Sequence, residues 1–213
     1  MFRVTVVSFD MEGTLIDNGF SRQIWEVDIP NLYAEIHGLP AEEARRRVAD
    51  EYAAVGEGKP EWYDVDYWWR RFSIPGDWRE LPRKRKPYCR VYPDTRGVLN
   101  RLSQRYTLIV SSNTIREFLE VQLECVGHPF SRVFSAPSDF NGVNKSPDFY
   151  RRVLAEMDLE PDSLAHVGDH RQFDYVAPRE LGVRAWHLDR SETSSGEDMV
   201  RSLEEFEARL QGG

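Results

Sequence analysis

Beyond residue 93 the sequence alternates between two kinds of segment, and this alternation restricts the fold more than any other feature. Amphipathic stretches near residues 94–104, 114–126, 147–157 and 172–181 are separated by short apolar runs at 106–110, 133–135, 164–167 and 183–188. Runs this short and apolar on both faces fit strands in the middle of a parallel sheet. The stretches between them fit the helices that must cross from one strand to the next. Residues 3–9 have the same character and supply a first strand. The predicted fold is α/β, a Rossmann-like three-layer core with a central parallel sheet. After a polar loop at 190–197, Val200, Leu203, Phe206 and Leu210 are spaced for one face of a docking C-terminal helix.

Between the first strand and residue 93 the texture changes. Residues 10–20 read as a turn and loop. Segments after Pro40 and Pro60 read as helices opened by proline, the first stopped by Gly56, the second carrying Trp62, Val65, Trp69 and Phe72 as an apolar stripe. A third helical stretch runs from Asn31 to His37, and breakers from Pro75 to Pro93 mark 74–93 as a connector. The predicted organisation is a core of residues 1–17 and 90–213, with a small helical cap, residues 18–89, inserted after the first strand.

Ligands of open α/β sheets bind at the carboxyl ends of the strands. Asp10, Ser111 and Asp169 each fall just past a predicted strand, so three distant segments deliver polar side chains to one sheet edge. Asp10 and Glu12 are two residues apart, and on an extended backbone they face the same side. One is suited to act as nucleophile or metal ligand and the other as acid and base. Gly13 permits the turn that follows, and Thr14 adds a hydroxyl. Ser111, Ser112 and Asn113 precede a helix, whose N-terminus is itself an anion site.

Composition sets the outer bounds. A net charge of −8 argues against a nucleic-acid surface, although Arg83-Lys84-Arg85-Lys86 is a local basic cluster. Cys89 and Cys125 have no metal-like spacing and read as unbridged thiols of a reducing compartment. No stretch has the length of a membrane span and the N-terminal residues lack a signal-peptide pattern, so a cytoplasmic protein is expected, a monomer or homodimer.

Asp10-Met11-Glu12-Gly13-Thr14-Leu15, Ser111, Lys145 and Gly168-Asp169-His170-Arg171-Gln172-Phe173-Asp174 resemble, in order and spacing, the four motifs of the haloacid dehalogenase (HAD) superfamily. The resemblance covers roughly residues 1–20 and 90–190, and the insertion lies where that family carries a C1-type helical cap. It implies a phosphatase of small phosphorylated metabolites. Asp10 would be the nucleophile that becomes an aspartyl phosphate, and Glu12 the acid and base. Mg²⁺ would be held by Asp10, the Glu12 carbonyl and Asp169. Ser111 would contact a phosphoryl oxygen, with Thr14, Ser112 and Asn113 beside it. Lys145 would neutralise charge, and Asp174 would support the metal or the lysine.

Two departures stand out. Most phosphatases of the superfamily have aspartate where this chain has Glu12, while the enolase-phosphatase group has glutamate and a serine pair like Ser111-Ser112. The segment after Lys145, Ser146-Pro147-Asp148, is about one residue shorter than the usual pattern. The alternatives are a 2-haloacid dehalogenase-type hydrolase, against which an acidic residue at Glu12 argues, and a non-catalytic phosphometabolite-binding protein. The tryptophans of the insertion read as its core, or as a box for an apolar or aromatic leaving group.

Overall fold

The computed structural model describes residues 4–191, 196 and 198–212. Arg3 of the predicted first strand, and residues 192–195 and 197 of the predicted polar loop, lie outside the described residues. Strands β1 (Val6–Phe9), β2 (Thr107–Ser112), β3 (Arg132–Ser135), β4 (Leu164–Gly168), β5 (Arg184–Leu188) and β6 (Met199–Val200) form one sheet. Its order is β3-β2-β1-β4-β5-β6 and every pairing is parallel. β1 is therefore central and buried throughout, which is why it is apolar on both faces.

Strand alternation sorts the sheet's side chains into two layers. Val7, Phe9, Val110 and Val167 pack with Leu99, Leu119 and Phe206 on one face. Val6, Ile109 and Leu164 pack with Phe149, Tyr150 and Val153 on the other. That second face also carries three buried polar residues in neighbouring strands, Ser8, Ser111 and His166. Val200, expected to begin the C-terminal helix, instead pairs with Leu188 in β6, and the helix spans Leu203–Gly212.

The insertion after β1 is helical. It opens on Gly19–Arg22 and continues through a π-helical turn, Gln23–Asp28, into Ile29–His37, where a loop up to residue 20 and a helix from Asn31 were expected. Ala41–Val55 follows Pro40 and stops at Gly56, whose φ of 75° is open to glycine. The segment after Pro60 is only a 3₁₀ turn, Pro60–Tyr63. The helix proper, Val65–Arg71, starts where the Asp64 carboxylate accepts the Tyr67 N–H at 3.0 Å. This shift turns Trp68 inward instead of Trp69, so Val65, Trp68 and Phe72 are buried.

Phe20, Ile24, Val48, Trp68 and Trp78 form a core that packs on Phe118 and Val121 of the core helix Arg116–Val126. The basic run is spent on ion pairs: Arg83 and Lys86 bind Glu124 of that helix, Lys84 binds Glu80, and Arg85 binds the buried Asp28. Cys89 and Cys125 are free thiols. Among the described residues no helix is long and apolar enough to cross a membrane.

Candidate active site

Asp10 prolongs β1 by one residue, its N–H donating to the Val167 carbonyl at 3.0 Å. Its carboxylate meets Lys145, which reaches in from the loop before the helix Pro147–Met157 and is itself buried. Lys145 also ion-pairs with Asp174, and its Nζ donates to the Ser111 carbonyl at 3.2 Å. Asp174 lies on the π-helical turn Arg171–Val176, folded back over the end of β4. Only glycine fits beneath it, since a Cβ on Gly168 would stand 2.3 Å from Asp174 Cγ. Asp169 packs in the same manner against Gly13, where an added Cβ would come within 2.1 Å of Asp169 Oδ2. With φ at 74°, Gly13 both turns the chain and lets that carboxylate approach.

A buried polar network holds this arrangement from below. Asp174 Oδ1 is 3.0 Å from His166 Nε2, and Oδ2 accepts the His170 N–H at 2.9 Å. His166 Nδ1 is 2.9 Å from Ser8 Oγ, and Ser8 donates to Ser111 Oγ at 2.8 Å. The Tyr150 hydroxyl, 3.0 Å from His166 Nε2, donates to the Phe173 carbonyl at 2.8 Å.

The electrostatics follow from burial and charge crowding. Burial pushes the Asp10 carboxyl up, Lys145 opposes this, and the facing carboxylates of Asp174 and Asp169 add to it. For Asp174 burial acts the same way, but Lys145 and then His166 outweigh it and hold the carboxyl well below the usual range. Burial favours a neutral Lys145, yet Asp10 and Asp174 keep it more basic than a free lysine. Asp169 is pushed up to about 6 by burial and then by Asp174, and it makes no ion pair among the described residues. Asp10, Asp169 and Asp174 offer oxygens within 4.8 Å of one another, with a single ammonium to neutralise them. This all-oxygen, negatively charged donor set fits a hard divalent cation.

Glu12 lies outside that cluster. Its Oε1 accepts a hydrogen bond of 2.9 Å from Gln122 Nε2, on the helix Arg116–Val126. Burial pushes the Glu12 carboxyl up to about 7, with Ser21 of the insertion pulling the other way. Glu12 and Asn113 lie at the core side of a cavity of about 580 Å³, roofed by Trp25, Tyr52, Trp62 and Tyr63 of the insertion. The buried Asn113 Oδ1 has no hydrogen-bond partner.

The structure thus brings Asp10, Lys145, Asp169 and Asp174 together and sets Glu12 and Asn113 on the adjoining cavity. The other predicted residues have these surroundings. Ser111 is an in-strand residue whose hydroxyl is held by Ser8 beneath the site, so its carbonyl, not its hydroxyl, serves Lys145. Ser112, on the opposite face by strand alternation, uses its hydroxyl to accept the Thr114 N–H at 3.1 Å. Thr14 is fully buried, its hydroxyl has no hydrogen-bond partner, and it is not part of the lining of the cavity beside Glu12. Both oxygens of Asp174 are committed to Lys145, His166 and His170, so it clamps the lysine and leaves Asp10 and Asp169 as the open carboxylates. Gln122 was not foreseen. Its one signal is a polar side chain, fully buried, between Phe118 and Val126 on an otherwise apolar helix face.

Comparisons with known proteins agree with this geometry. A haloacid dehalogenase-like hydrolase family profile matches residues 4–182. A "Haloacid dehalogenase-like hydrolase domain-containing protein 3" of Danio rerio is 34% identical over 79 residues, covering 34% of this chain and 33% of that protein. The GMP/IMP nucleotidase YrfG of Escherichia coli is 32% identical over 71 residues, 33% of this chain and 32% of the relative. The matched segments thus span about a third of these curated relatives. A HAD phosphatase structure from Thermococcus onnurineus superposes with a TM-score of 0.86 at 21% identity, covering 98% of this chain and 99% of the other. A 2-haloacid dehalogenase structure from Pseudomonas syringae pv. Tomato gives a TM-score of 0.66 at 16% identity, with 98% of each chain covered. At these identities the superpositions speak for the fold, and the profile match over most of the chain speaks for the family: the protein belongs to the haloacid dehalogenase-like hydrolases.

Proposed function

We propose that the protein hydrolyses small phosphate monoesters through an aspartyl-phosphate intermediate, with Mg²⁺ as cofactor. The observation that carries this reading is the position of Asp10, one carboxylate held against Lys145 and facing Asp169, with Glu12 separate from them on the adjoining cavity. An Asp10 oxygen would attack phosphorus as the bond to the leaving oxygen breaks, and Glu12 would give its proton to that oxygen. Glu12 would then take a proton from water, whose oxygen attacks phosphorus and frees Asp10 and inorganic phosphate. Lys145 offsets the repulsion between a carboxylate nucleophile and an anionic ester. Asp10 and Asp169 would hold the cation, which supplies further neutralisation of phosphoryl charge when bound.

The helices of residues 18–89 act in this reading as a cap that shields the reaction from water. Halide release from a 2-haloacid is the competing chemistry, since both phosphatases and dehalogenases occur among the structural neighbours. A departing halide needs no proton, whereas an alkoxide does, so a carboxyl at Glu12 favours the ester. The test is phosphate release from a panel of phosphate esters, with and without Mg²⁺, alongside halide release from short 2-haloacids. Metal-dependent phosphate release that is lost in Asp10→Asn supports the proposal. Halide release alone, or full turnover by Asp10→Asn, overturns it.

A further inference from the structure

The tryptophans of the insertion divide into two groups. Trp68 and Trp78 are buried, and the indole N–H groups of Trp68, Trp69 and Trp78 donate to Trp62 O, Gly76 O and Asp66 Oδ1. Trp25 and Trp62 are half-buried, line the cavity beside Glu12, and their N–H groups have no partner among the described residues. The cavity's aromatic residues form a chain of neighbouring rings: Phe118 lies 6.2 Å from Trp25, Trp25 lies 5.9 Å from Tyr52, and Tyr52 lies 6.2 Å from Trp62. None of these pairs is stacked, so no ring covers another face to face. Asn113 lines the floor.

Resting on the phosphatase reading, we propose that this cavity selects phosphate esters whose leaving group carries a planar heteroaromatic ring, the class that includes nucleoside monophosphates. Such a ring offers faces to Trp25 and Trp62 and edge nitrogens or carbonyls that accept from an indole N–H. A plain sugar phosphate satisfies the phosphoryl site and leaves the aromatic walls uncovered. A cavity of about 580 Å³ falls in the range of small-ligand sites. Its continuity with Glu12 places the leaving group where the proton would be delivered.

The experiment has a kinetic and a binding arm, both on the full chain with Mg²⁺. The kinetic arm compares kcat/KM for 5′-nucleoside monophosphates with that for ribose 5-phosphate, which lacks only the base, and for acetyl phosphate. A preference of at least about fivefold for a nucleotide is expected, the low end of what stacking a base on an aromatic side chain provides. Trp25→Leu and Trp62→Leu should each shrink that preference. Equal turnover of nucleotides and ribose 5-phosphate overturns the inference while leaving the hydrolase reading intact. Inert acetyl phosphate together with inert esters overturns the hydrolase reading itself. The binding arm then still decides the cavity. Phosphate-free nucleosides should quench tryptophan fluorescence saturably, with weaker binding in Trp62→Leu and Trp25→Leu. Absence of any saturable quenching at millimolar nucleoside overturns the proposal.

Discussion

Replacing Gln122 with methionine isolates the contact that orients Glu12. The wild-type amide donates to Glu12 Oε1 at 2.9 Å, while its own oxygen is buried without a partner. A hydrogen bond to a charged acceptor is worth about 1.5–3 kcal/mol, which corresponds to about 10–150-fold in rate if it is fully expressed in the transition state. Methionine has similar length and volume and deletes the unpartnered oxygen too, so the stability loss should stay within about 1–3 kcal/mol, the cost of leaving the Glu12 oxygen without its donor. The assay is kcat/KM for an alkyl phosphate and for 4-nitrophenyl phosphate, because this ratio reports the step in which the leaving group departs. An alkoxide needs the proton from Glu12 far more than a nitrophenolate does. The alkyl ester should therefore suffer the loss at the upper end of that range and the aryl ester a much smaller one. A double variant with Glu12→Gln should lose little beyond Glu12→Gln alone. Equal losses on both esters, or no loss at all, would refute the orienting role of Gln122.

The charge cluster yields further predictions. Lys145→Met removes the cation shared by Asp10 and Asp174 and should destabilise by about 3–5 kcal/mol, the cost of leaving buried charge unpaired; thermal unfolding reads it, and adding Asp174→Asn should restore part of the loss. Mg²⁺ should raise the melting temperature in a concentration-dependent way, as any ligand of the native state does, and Asp169→Asn should abolish most of that rise in calorimetry without substrate. Gly13→Ala would drive a Cβ to 2.1 Å from Asp169 Oδ2 at a φ of 74°, so weaker Mg²⁺ binding by titration calorimetry is expected, with a stability loss of at least about 1 kcal/mol.

Much of this site was legible in the chain because it depends on local rules. Apolar runs gave the strands, strand ends gave the positions of Asp10 and Asp169, and the order of motifs added Lys145 and Asp174. Boundaries behaved differently. β2 runs two residues past Val110 because Ser111 and Ser112 pair with Phe134 and Ser135 of β3. That long-range pairing, invisible in the local pattern, turned the Ser111 hydroxyl toward Ser8. A start five residues later than expected, at Val65, likewise exchanged Trp69 for Trp68 as the buried ring.

The sheet and the carboxylates at its carboxyl edge follow from local sequence, since the hydrophobic period that makes each strand is encoded a few residues at a time. Tertiary structure alone decided which partners those carboxylates meet. Gln122 reaches Glu12 across 110 positions of sequence, and Lys145 reaches Asp10 across 135. It also decided which tryptophans line the cavity, because that depends on how the inserted helices settle on the helix Arg116–Val126. Packing between distant segments minimises exposed apolar area and unpaired buried charge together, and no local stretch of sequence carries that sum.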